Sequence, residues 1–476
     1  MRKKHILVSG LAFLLVLLLA SFCLAQQNTT LIPQDSDHIF FKNKTHVHVA
    51  SSTVDEQTGE IVLNNVKFTW QPKRVAEIQT LQVVADPSYV NAFVTNKTLP
   101  TDNLNFKQIL IAGLKFDDGQ GSTVTIDKLL FEDGVFVGEF IKKFFNGTLE
   151  EINTDDHVSK CKNFTLLNLK AKLPQDKKDP LHCGIGKILI ADNTNDHVSK
   201  FVIENLDFHD QEVKFVVEKT SIDNVNYPEA YRKLLSDDEI EKQLQLPNGV
   251  QNILTTLFLG DKPLVETVLL ANMRITADNY LFTAGDMGFK TKNHNRLDLW
   301  LKGLELENID QLGVQHPKNL AVNIQLGANV SPVDLVVDGK LALGNLWNLS
   351  IKVTPLIAEA AIKDLLVKME DNGALAWLAL NFSKPGQIDA DITSILSDVE
   401  KSVGNDANAK VFMEALRTFL KKPGSLEMRS RYGEPIKLDQ LETLLAKPAD
   451  NFVLTATEGS APLEEQVQKL APAQTK

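Results

Sequence analysis

The segment Phe201-Val-Ile-Glu-Asn-Leu-Asp-Phe208 contains the pattern that decides the fold. With Φ for an apolar residue, it is Φ-x-Φ-x-x-Φ-x-Φ, a period of two that slips once at its centre. A period of two is typical of a half-buried strand, because successive side chains point to opposite faces of a sheet. The slip would carry the second half of the strand to the wrong face unless a β-bulge absorbs one residue. Asn or Gly just before the third apolar residue favours such a bulge, because both tolerate unusual backbone angles.

The same unit recurs along most of the chain, which indicates a repeated supersecondary element. We predict that each copy is a bent or bulged strand, or two short strands that meet at a corner. The further copies are Ile61–Phe68, Ile109–Phe116, Val124–Phe131, Phe164–Ala171, Val268–Ile275, Leu299–Leu306 and, less cleanly, Leu341–Asn348.

An identical five-residue segment, Asp-His-Val-Ser-Lys, occurs at 156–160 and again at 196–200. Both copies run into alternating segments that reach Asn168-Leu169 and Asn205-Leu206. The adjacent Asp and His could suggest catalysis. Duplicated hydrophilic residues at the start of a strand favour a repeated turn instead.

The C-terminal part has a different period. Residues 388–403 and 407–421 have the 3.6-residue periodicity of amphipathic helices, and Pro423-Gly424 ends the second. Alternation predicts strands at 425–431 and 452–456, with a short helix at 438–445. Shorter helices are predicted at 89–94, 137–145 and 226–235.

These patterns predict a mainly β protein with an α+β C-terminal region, an elongated array of repeated, bulged antiparallel strand units. The domain organisation that follows is a signal peptide at 1–25, a β-rich repeat region at 26–355, an α+β region at 356–458 and a flexible tail at 459–476.

The N-terminus has the features of a secretory signal peptide. Arg2, Lys3 and Lys4 form a basic start, residues 6–24 are almost wholly apolar, and Ala25 precedes Gln26-Gln27. Cleavage after Ala25 predicts an exported protein, periplasmic or extracellular. The alternative is an uncleaved N-terminal membrane anchor, because the apolar run is nearly long enough to span a bilayer.

Export bears on the cysteines and on glycosylation. The mature chain keeps Cys161 and Cys183, which an oxidising compartment could join in one disulfide; the alternative is two buried free thiols. Asn-x-Ser/Thr sequons keep a secreted eukaryotic glycoprotein open beside a bacterial protein. They occur at Asn28, Asn43, Asn96, Asn146, Asn163, Asn329, Asn348 and Asn381.

Composition and motifs exclude several classes of function. The formal net charge is −11, so a basic nucleic-acid surface is not expected. The chain has no G-x-S-x-G, H-E-x-x-H, C-x-x-C, Walker A or EF-hand sequence. Residues 119–122 (Gly-Gln-Gly-Ser) are predicted to be a turn. We predict no enzymatic activity, no cofactor and no metal. An enzyme whose site is assembled from distant residues stays as an alternative.

Histidines at i,i+2 in His46-Val-His48, near His38, lie at a spacing that can ligate zinc or copper. No Cys or acidic ligand stands at a motif spacing. A polar strand face is therefore the favoured interpretation.

Phenylalanine dominates the aromatic residues, and Phe68, Phe116, Phe131 and Phe208 lie on the apolar side of the repeat. The favoured interpretation is a core. The alternative is an open groove for acyl chains, because one face of every strand would be apolar along its length.

The arrangement resembles a group of uncharacterised exported bacterial proteins of proteobacterial type. They combine a signal peptide, strand units of the form Ile-x-Ile-x-x-Leu-x-Phe and a helical C-terminal part that closes with Phe-Leu-x-x-Pro-Gly-Ser-Leu. Here that stretch is residues 419–426, followed by Pro435–Leu438. This resemblance implies no activity. The repeated strands also look, more distantly, like the AsmA-like envelope proteins, which implies a lipid-handling groove.

The sequence therefore predicts an exported, non-enzymatic envelope protein with a structural or binding role. The candidate partner is a lipid, another amphiphile or an envelope protein, and no nucleic acid is expected. A secreted, glycosylated lipid carrier is the alternative.

Overall fold

A computed structural model describes most of the chain. The described residues are 36–37, 46–70, 74–88, 90, 103–136, 159–175, 178–194, 196–210, 212–226, 242, 256, 262–277, 280–292, 295–307, 321–330, 335–356, 361–384, 386–431, 435–437 and 447–470. They divide into two compact units, residues 1–228 and 229–476. The predicted boundary between 355 and 356 lies at the end of a strand within the second unit.

The first unit is an antiparallel meander in which each strand pairs with the next along the chain. Its strands are β1 (Ser36–Asp37), β2 (His46–Asp55), β3 (Glu60–Trp70), β4 (Arg74–Ala85), β5 (Leu104–Asp117), β6 (Thr123–Phe136), β7 (Ser159–Gln175), β8 (Lys178–Ala191), β9 (His197–His209) and β10 (Val213–Asn226).

The second unit begins as a similar meander. Its strands are β11 (Val265–Ala277), β12 (Tyr280–Lys292), β13 (Arg296–Glu307), β14 (Val322–Val330), β15 (Leu335–Leu343), β16 (Trp347–Leu356) and β17 (Ala361–Asp371).

Helices and three more strands follow β17. The helices are α1 (Ala374–Phe382), α2 (Ile388–Val403), α3 (Ala407–Lys421), α4 (Pro448–Asn451) and α5 (Leu463–Leu470). The strands are β18 (Ser425–Ser430), β19 (Ile436–Lys437) and β20 (Phe452–Thr457). Strands β18 and β19 both pair with β17, and β20 pairs with β18. The predicted fold, mainly β with a small helical C-terminal region, is confirmed.

In strands β2–β10 of the first unit, the apolar side chains move from one face of the sheet to the other at the same level of each strand. Pairing is interrupted along one row that crosses the sheet from β2 to β10. On both sides of the row the register is the same; Asn64 pairs with Thr80, for example, and Val66 with Ile78. The row consists of Ala50, Asn65, Gln79, Gly113, Asp127, Asn168, Gly186, Asn205 and Glu218.

Every second strand has a left-handed residue on this row. The φ angles are 51° at Asn65, 66° at Gly113, 53° at Asn168 and 55° at Asn205. These are the Asn and Gly positions that the sequence pattern singles out. Because both partners change face together, no extra residue is needed. Of the alternatives expected for the repeated unit, which were a bend, a bulge or a corner between two short strands, the register excludes a simple bulge on this row.

A second row crosses β5 to β10, six residues along each strand from the first. Here the left-handed residues are Asp133 in β6, Asp192 just after β8, and Asn224 in β10. The two rows therefore use opposite sets of alternate strands.

In the second unit the corresponding row is short. It passes through Asn272 (φ 52°) and Gly285 to Gly303 (φ 62°). It ends in a bulge, because β13 has one residue more than β14 between the pairs Leu301–Ile324 and Leu304–Val322. The Asn323 side chain closes the bulge by accepting a hydrogen bond from the Gly303 N–H at 2.9 Å.

The Leu341–Asn348 copy of the repeat is not a bulged strand. Residues 344–346 form the turn between β15 and β16, with Gly344 at φ 51° and the Leu346 N–H bonded to the Leu343 carbonyl. Gly-Asn at this point closes a hairpin, and a hairpin turn needs positive φ just as a bulge does.

The helical core of the second unit confirms two predicted helices to the residue. Asp406 caps α3 by accepting from the Ala409 N–H at 2.7 Å, and Gly404 ends α2 at φ 85°. The buried side chains form one cluster that includes Phe412, Met413, Phe419 and Leu454.

Within the predicted flexible tail at 459–476, residues 463–470 form helix α5. Leu463 is buried in the helical cluster and Val467 packs against it. Apolar residues at i and i+4 give this short helix one face to bury, although the surrounding Ala, Pro, Gln and Lys residues are typical of a loose tail.

Several predictions fall on residues outside the described ranges. These are the signal peptide at 1–25, the helices at 137–145 and 438–445, and most of those at 89–94 and 226–235. In the part of the chain that the structure describes, no helix is long and apolar enough to cross a membrane.

Candidate functional site

The sheet of the second unit has one apolar face, which can be followed from strand to strand through the register. Residues directly opposite each other on neighbouring strands share a face. One row across β11–β18 and β20 consists of Val268, Phe289, Leu299, Leu326, Gly339, Ile351, Val367, Met428 and Leu454. The row two residues away is equally apolar: Leu270, Met287, Leu301, Ile324, Leu341, Leu349, Met369, Leu426 and Ala456.

Helices cover this face at one end. Leu454 is 4% exposed and belongs to the helical cluster, and Met428, Leu426 and Ala456 pack against that cluster. The apolar residues of β18 and β20 are therefore core residues, with α3 packed over them.

The same face is open in the middle of the sheet. Leu299, Leu326 and Ile351 are 41%, 44% and 37% exposed, although they lie in interior strands. Gly339 lies between Leu326 and Ile351 in the row, and a Cβ at Gly339 would come 3.0 Å from Leu326 Cδ2. A small residue here leaves a shallow floor between two exposed apolar side chains.

The apolar area around these three side chains extends over several strands. Strands β12–β16 span four inter-strand steps, about 19 Å at ~4.8 Å each. Three apolar rows, including the one that contains Leu297, Ala328, Val337 and Val353, extend about 14 Å along the strands. The product is on the order of 270 Å², close to the largest apolar patches of ordinary monomers, which are often functional.

The opposite face of these strands is polar and held by ion pairs. Arg296 donates from Nη1 and Nη2 to the two carboxylate oxygens of Asp338, both at 3.1 Å. It also donates from Nε to Asp298, which Lys292 contacts at 2.6 Å. Burial acts to raise the pKa of Asp298, but the hydrogen bonds from Lys292 and Arg296 outweigh it and lower that pKa.

The predicted disulfide between Cys161 and Cys183 is wrong, because both are free thiols. Cys183 in β8 lies opposite Ala171, ten residues along β7 from Cys161, or about 33 Å of strand. A disulfide needs Cα atoms within about 7 Å. Burial raises the pKa of both thiols, and the charge of Asp207 adds to the effect at Cys183.

The histidines that the sequence singles out do not come together as a site. His48 lies in β2, His46 begins that strand, and His38 and His157 are outside the described residues. His197 starts β9, with Nδ1 2.9 Å from Asn226 Oδ1, and its carbonyl accepts from Thr194 at the predicted turn. Among the described residues no group of three His, Cys, Asp or Glu side chains could hold a metal ion.

The two copies of Asp-His-Val-Ser-Lys are not equivalent in the fold. Ser199 lies on the second row, aligned with Asp192 and Asn224, whereas Ser159 begins β7 opposite Phe136 and away from that row. The residues that do correspond are Asn168 and Asn205, both on the first row.

The four phenylalanines have different surroundings. Phe68 is fully buried, whereas Phe116, Phe131 and Phe208 are half-buried. The ring of Phe131 packs at a tilt against that of Phe164 on the neighbouring strand, with centroids 4.9 Å apart. The interpretation of these residues as core is confirmed for Phe68.

Residues 117–122 form the predicted turn. The carboxylates of Asp117 and Asp118 accept hydrogen bonds from the N–H groups of Gly119, Gln120 and Ser122. These are Asx-turn contacts, so the glycines have a local structural role.

Sequence reasoning missed one histidine pair. His182 and His209 lie directly opposite each other on β8 and β9, with rings stacked 5.0 Å apart. His209 Nδ1 is 3.0 Å from Asp207 Oδ1. Only the β8–β9 register could have revealed this pair, because the residues are far apart in the sequence.

Comparison with known proteins adds no relative: no protein-family model matches the chain, and no curated protein matches it significantly.

Proposed function

We propose that this is an exported, non-enzymatic binding protein of the cell envelope, which holds the hydrocarbon part of a lipid or another amphiphile on the open face of β12–β16. The observation that carries the proposal is the exposure of Leu299, Leu326 and Ile351 in the interior of a sheet. Their neighbours in the register are apolar, so the exposed side chains form one continuous surface.

The energetics favour a hydrocarbon occupant. Full burial of a Leu or Ile side chain stabilises by about 1.5–3 kcal/mol, so covering the exposed two-fifths of three such side chains contributes about 2–4 kcal/mol. Each methylene of the ligand that leaves water adds about 0.8 kcal/mol. An acyl chain of about 15 Å, half of the hydrocarbon thickness of a bilayer, fits within the open area.

The version without glycans is favoured over a glycosylated carrier. Asn381 donates from Nδ2 to the Trp377 carbonyl at 2.8 Å within α1, and Asn163 Oδ1 accepts from the Asp192 N–H at 3.1 Å. Both sequon side chains are engaged in regular structure, whereas glycans are typically carried by surface loops.

The test is lipid capture by the full chain, expressed with its own N-terminus in an exporting host and purified without detergent. Native mass spectrometry followed by organic extraction should detect a bound lipid. Displacement of a fluorescent fatty acid should give a dissociation constant, and the double variant Leu326→Glu with Ile351→Glu should weaken binding at least tenfold, because two carboxylates are placed on the apolar surface.

The matched control is Gln325→Glu, which adds charge at the neighbouring position on the polar face and should leave binding unchanged. A chain that carries no lipid and does not bind the fatty acid would overturn the proposal. Equal weakening by Gln325→Glu would overturn the assignment to this face.

A further inference from the structure

The polar face of the same unit contains a cleft of about 510 Å³ over β13–β17. This volume lies in the range of small-molecule sites. Gln325, Lys340, Ser350 and Lys368 stand directly opposite one another on consecutive strands and form its floor. Lys302, Asn323 and Asn348 also contribute to the lining.

The cleft has an excess of positive charge. Lys368 is paired with Glu370 at 2.6 Å, and this hydrogen-bonded contact lowers the pKa of Glu370. Lys302 and Lys340 make no ion-pair contact in the part of the chain that the structure describes, although the charge of Lys340 also acts on Glu370. The lining therefore contains three lysines and one glutamate, an excess of two positive charges in one concave site.

Acidic side chains also lie beside the cleft. Asp286 is opposite Lys302 in the register of β12 and β13, and it does not line the cleft. Asp338 lies two residues from Lys340 on the same face, but Arg296 occupies both of its carboxylate oxygens. Asp298 is contacted by Arg296 and Lys292. The carboxylates of Asp338 and Asp298 are therefore already paired, whereas the lining of the cleft keeps an excess of two positive charges.

The other groups in the lining suit hydroxyls. Side-chain amides and a serine hydroxyl both donate and accept hydrogen bonds, as recognition of a sugar requires. No aromatic side chain lines the cleft, so the stacking surface that a nucleobase typically uses is missing from the described lining. Lysines also disfavour a cation, because like charges repel.

A larger cleft of about 670 Å³ between α1, α5 and the ends of β18 and β20 is less suited to a charged ligand. Its lysines Lys368 and Lys469 are paired with Glu370 and Glu465, and its Glu458 is paired with Lys422. Apart from Asp371, whose carboxylate accepts backbone hydrogen bonds, the charged side chains that line that cleft are therefore paired.

We propose that the cleft over β13–β17 binds an anionic saccharide, a sugar that carries a phosphate or a carboxylate. Lys302 and Lys340 contact the anionic group, and Gln325, Asn348 and Ser350 bind the hydroxyls. This site is independent of the lipid proposal, because it lies on the opposite face of the strands.

The test is isothermal titration of the full chain with glucose 6-phosphate, glucuronate, glucose and inorganic phosphate. We expect binding of at least one of the two anionic sugars with a millimolar or lower dissociation constant, weakened by added NaCl because salt screens the lysines. The double variant Lys302→Gln with Lys340→Gln should weaken this binding at least tenfold. Tighter binding of glucose 6-phosphate than of glucuronate would identify a phosphate as the anionic group, and the reverse would identify a carboxylate.

Lys410→Gln, an exposed lysine on α3, is the matched control and should leave the affinity unchanged. Equal binding of neutral glucose, equal binding of inorganic phosphate alone, or an unchanged affinity in the double variant would each overturn the proposal. Circular dichroism and a thermal melt that match those of the native chain check that the double variant is folded.

Discussion

Strands β2–β5 of the first unit and β13–β16 of the second have the same alternation of apolar and polar residues but different surroundings. In the first group Ile61, Leu63, Phe68 and Leu81 are fully buried. In the second group, residues at corresponding places of the pattern are about two-fifths exposed. The difference teaches that alternation determines which face of a sheet is apolar, whereas elements from elsewhere in the chain determine whether that face is covered.

The largest expected effect is a difference between the two regions in the free energy of unfolding that a core substitution costs. Phe68→Ala should destabilise the first unit by about 3–5 kcal/mol, because it opens a cavity in a closed core. Leu326→Ala should cost less than about 1 kcal/mol, since part of that side chain is already in water. Denaturant unfolding, followed by hydrogen exchange in peptides of each unit, measures both. Similar losses at the two positions would show that the open face is covered in solution.

A smaller effect tests the first row of the first unit, where pairing is interrupted from β2 to β10. Gly113 has a φ of 66°, and a Cβ there would lie 2.5 Å from the Gln79 side chain. Gly113→Ala should therefore cost about 1–3 kcal/mol, through the left-handed backbone and the contact.

Adding Gln79→Ala should recover the part of the loss that comes from the contact, so a double-mutant cycle separates the two causes. No coupling between the two substitutions would contradict the close approach of the neighbouring strands at the row.

The next prediction concerns Asp371, which lies just before helix α1 in the second unit. Asp371 is buried and accepts hydrogen bonds from the N–H groups of Gly373 and Leu375, at 3.1 and 2.9 Å. Burial raises the pKa of Asp371 despite these bonds. Because the folded-state pKa lies above the unfolded value, the ionised carboxylate costs stability at neutral pH, and this cost is relieved as the pH falls through the folded pKa.

Asp371→Asn should accordingly match or exceed the native stability at pH 7, since the amide oxygen still accepts one bond without the buried charge. Asp371→Ala should lose about 1–2 kcal/mol, because the start of α1 then has unsatisfied donors. Thermal melts at pH 5 and pH 7 distinguish the variants. A native-like Asp371→Ala would show that the cap is dispensable.

The smallest effect is expected at the cysteines. With the two thiols apart, reductant should not shift the melting temperature of the protein. Mass spectrometry after alkylation in denaturant, without reductant, should find both Cys161 and Cys183 modified. A melting temperature that shifts under reductant, or failure of both cysteines to be alkylated, would contradict the register of β7 and β8.

Local features were predictable from the sequence, and non-local ones were not. Helices α2 and α3 and the left-handed residues Asn65, Asn168, Asn205 and Asn272 follow from periodicity and from Asn before an apolar residue. The openness at Leu326 depends on what lies above the sheet. The disulfide prediction failed because a short sequence separation does not guarantee proximity within a hairpin whose strands run fourteen residues or more.

The alternation of left-handed residues between neighbouring strands limits how such a chain can change in length during evolution. Loss of one strand would place side by side two strands that both carry a left-handed residue on the same row. The alternation of left-handed residues across the sheet would then be broken. Loss or duplication of a whole hairpin preserves both rows. The sheet can therefore grow or shrink in steps of two strands, and an insertion within one strand must be matched in its neighbours.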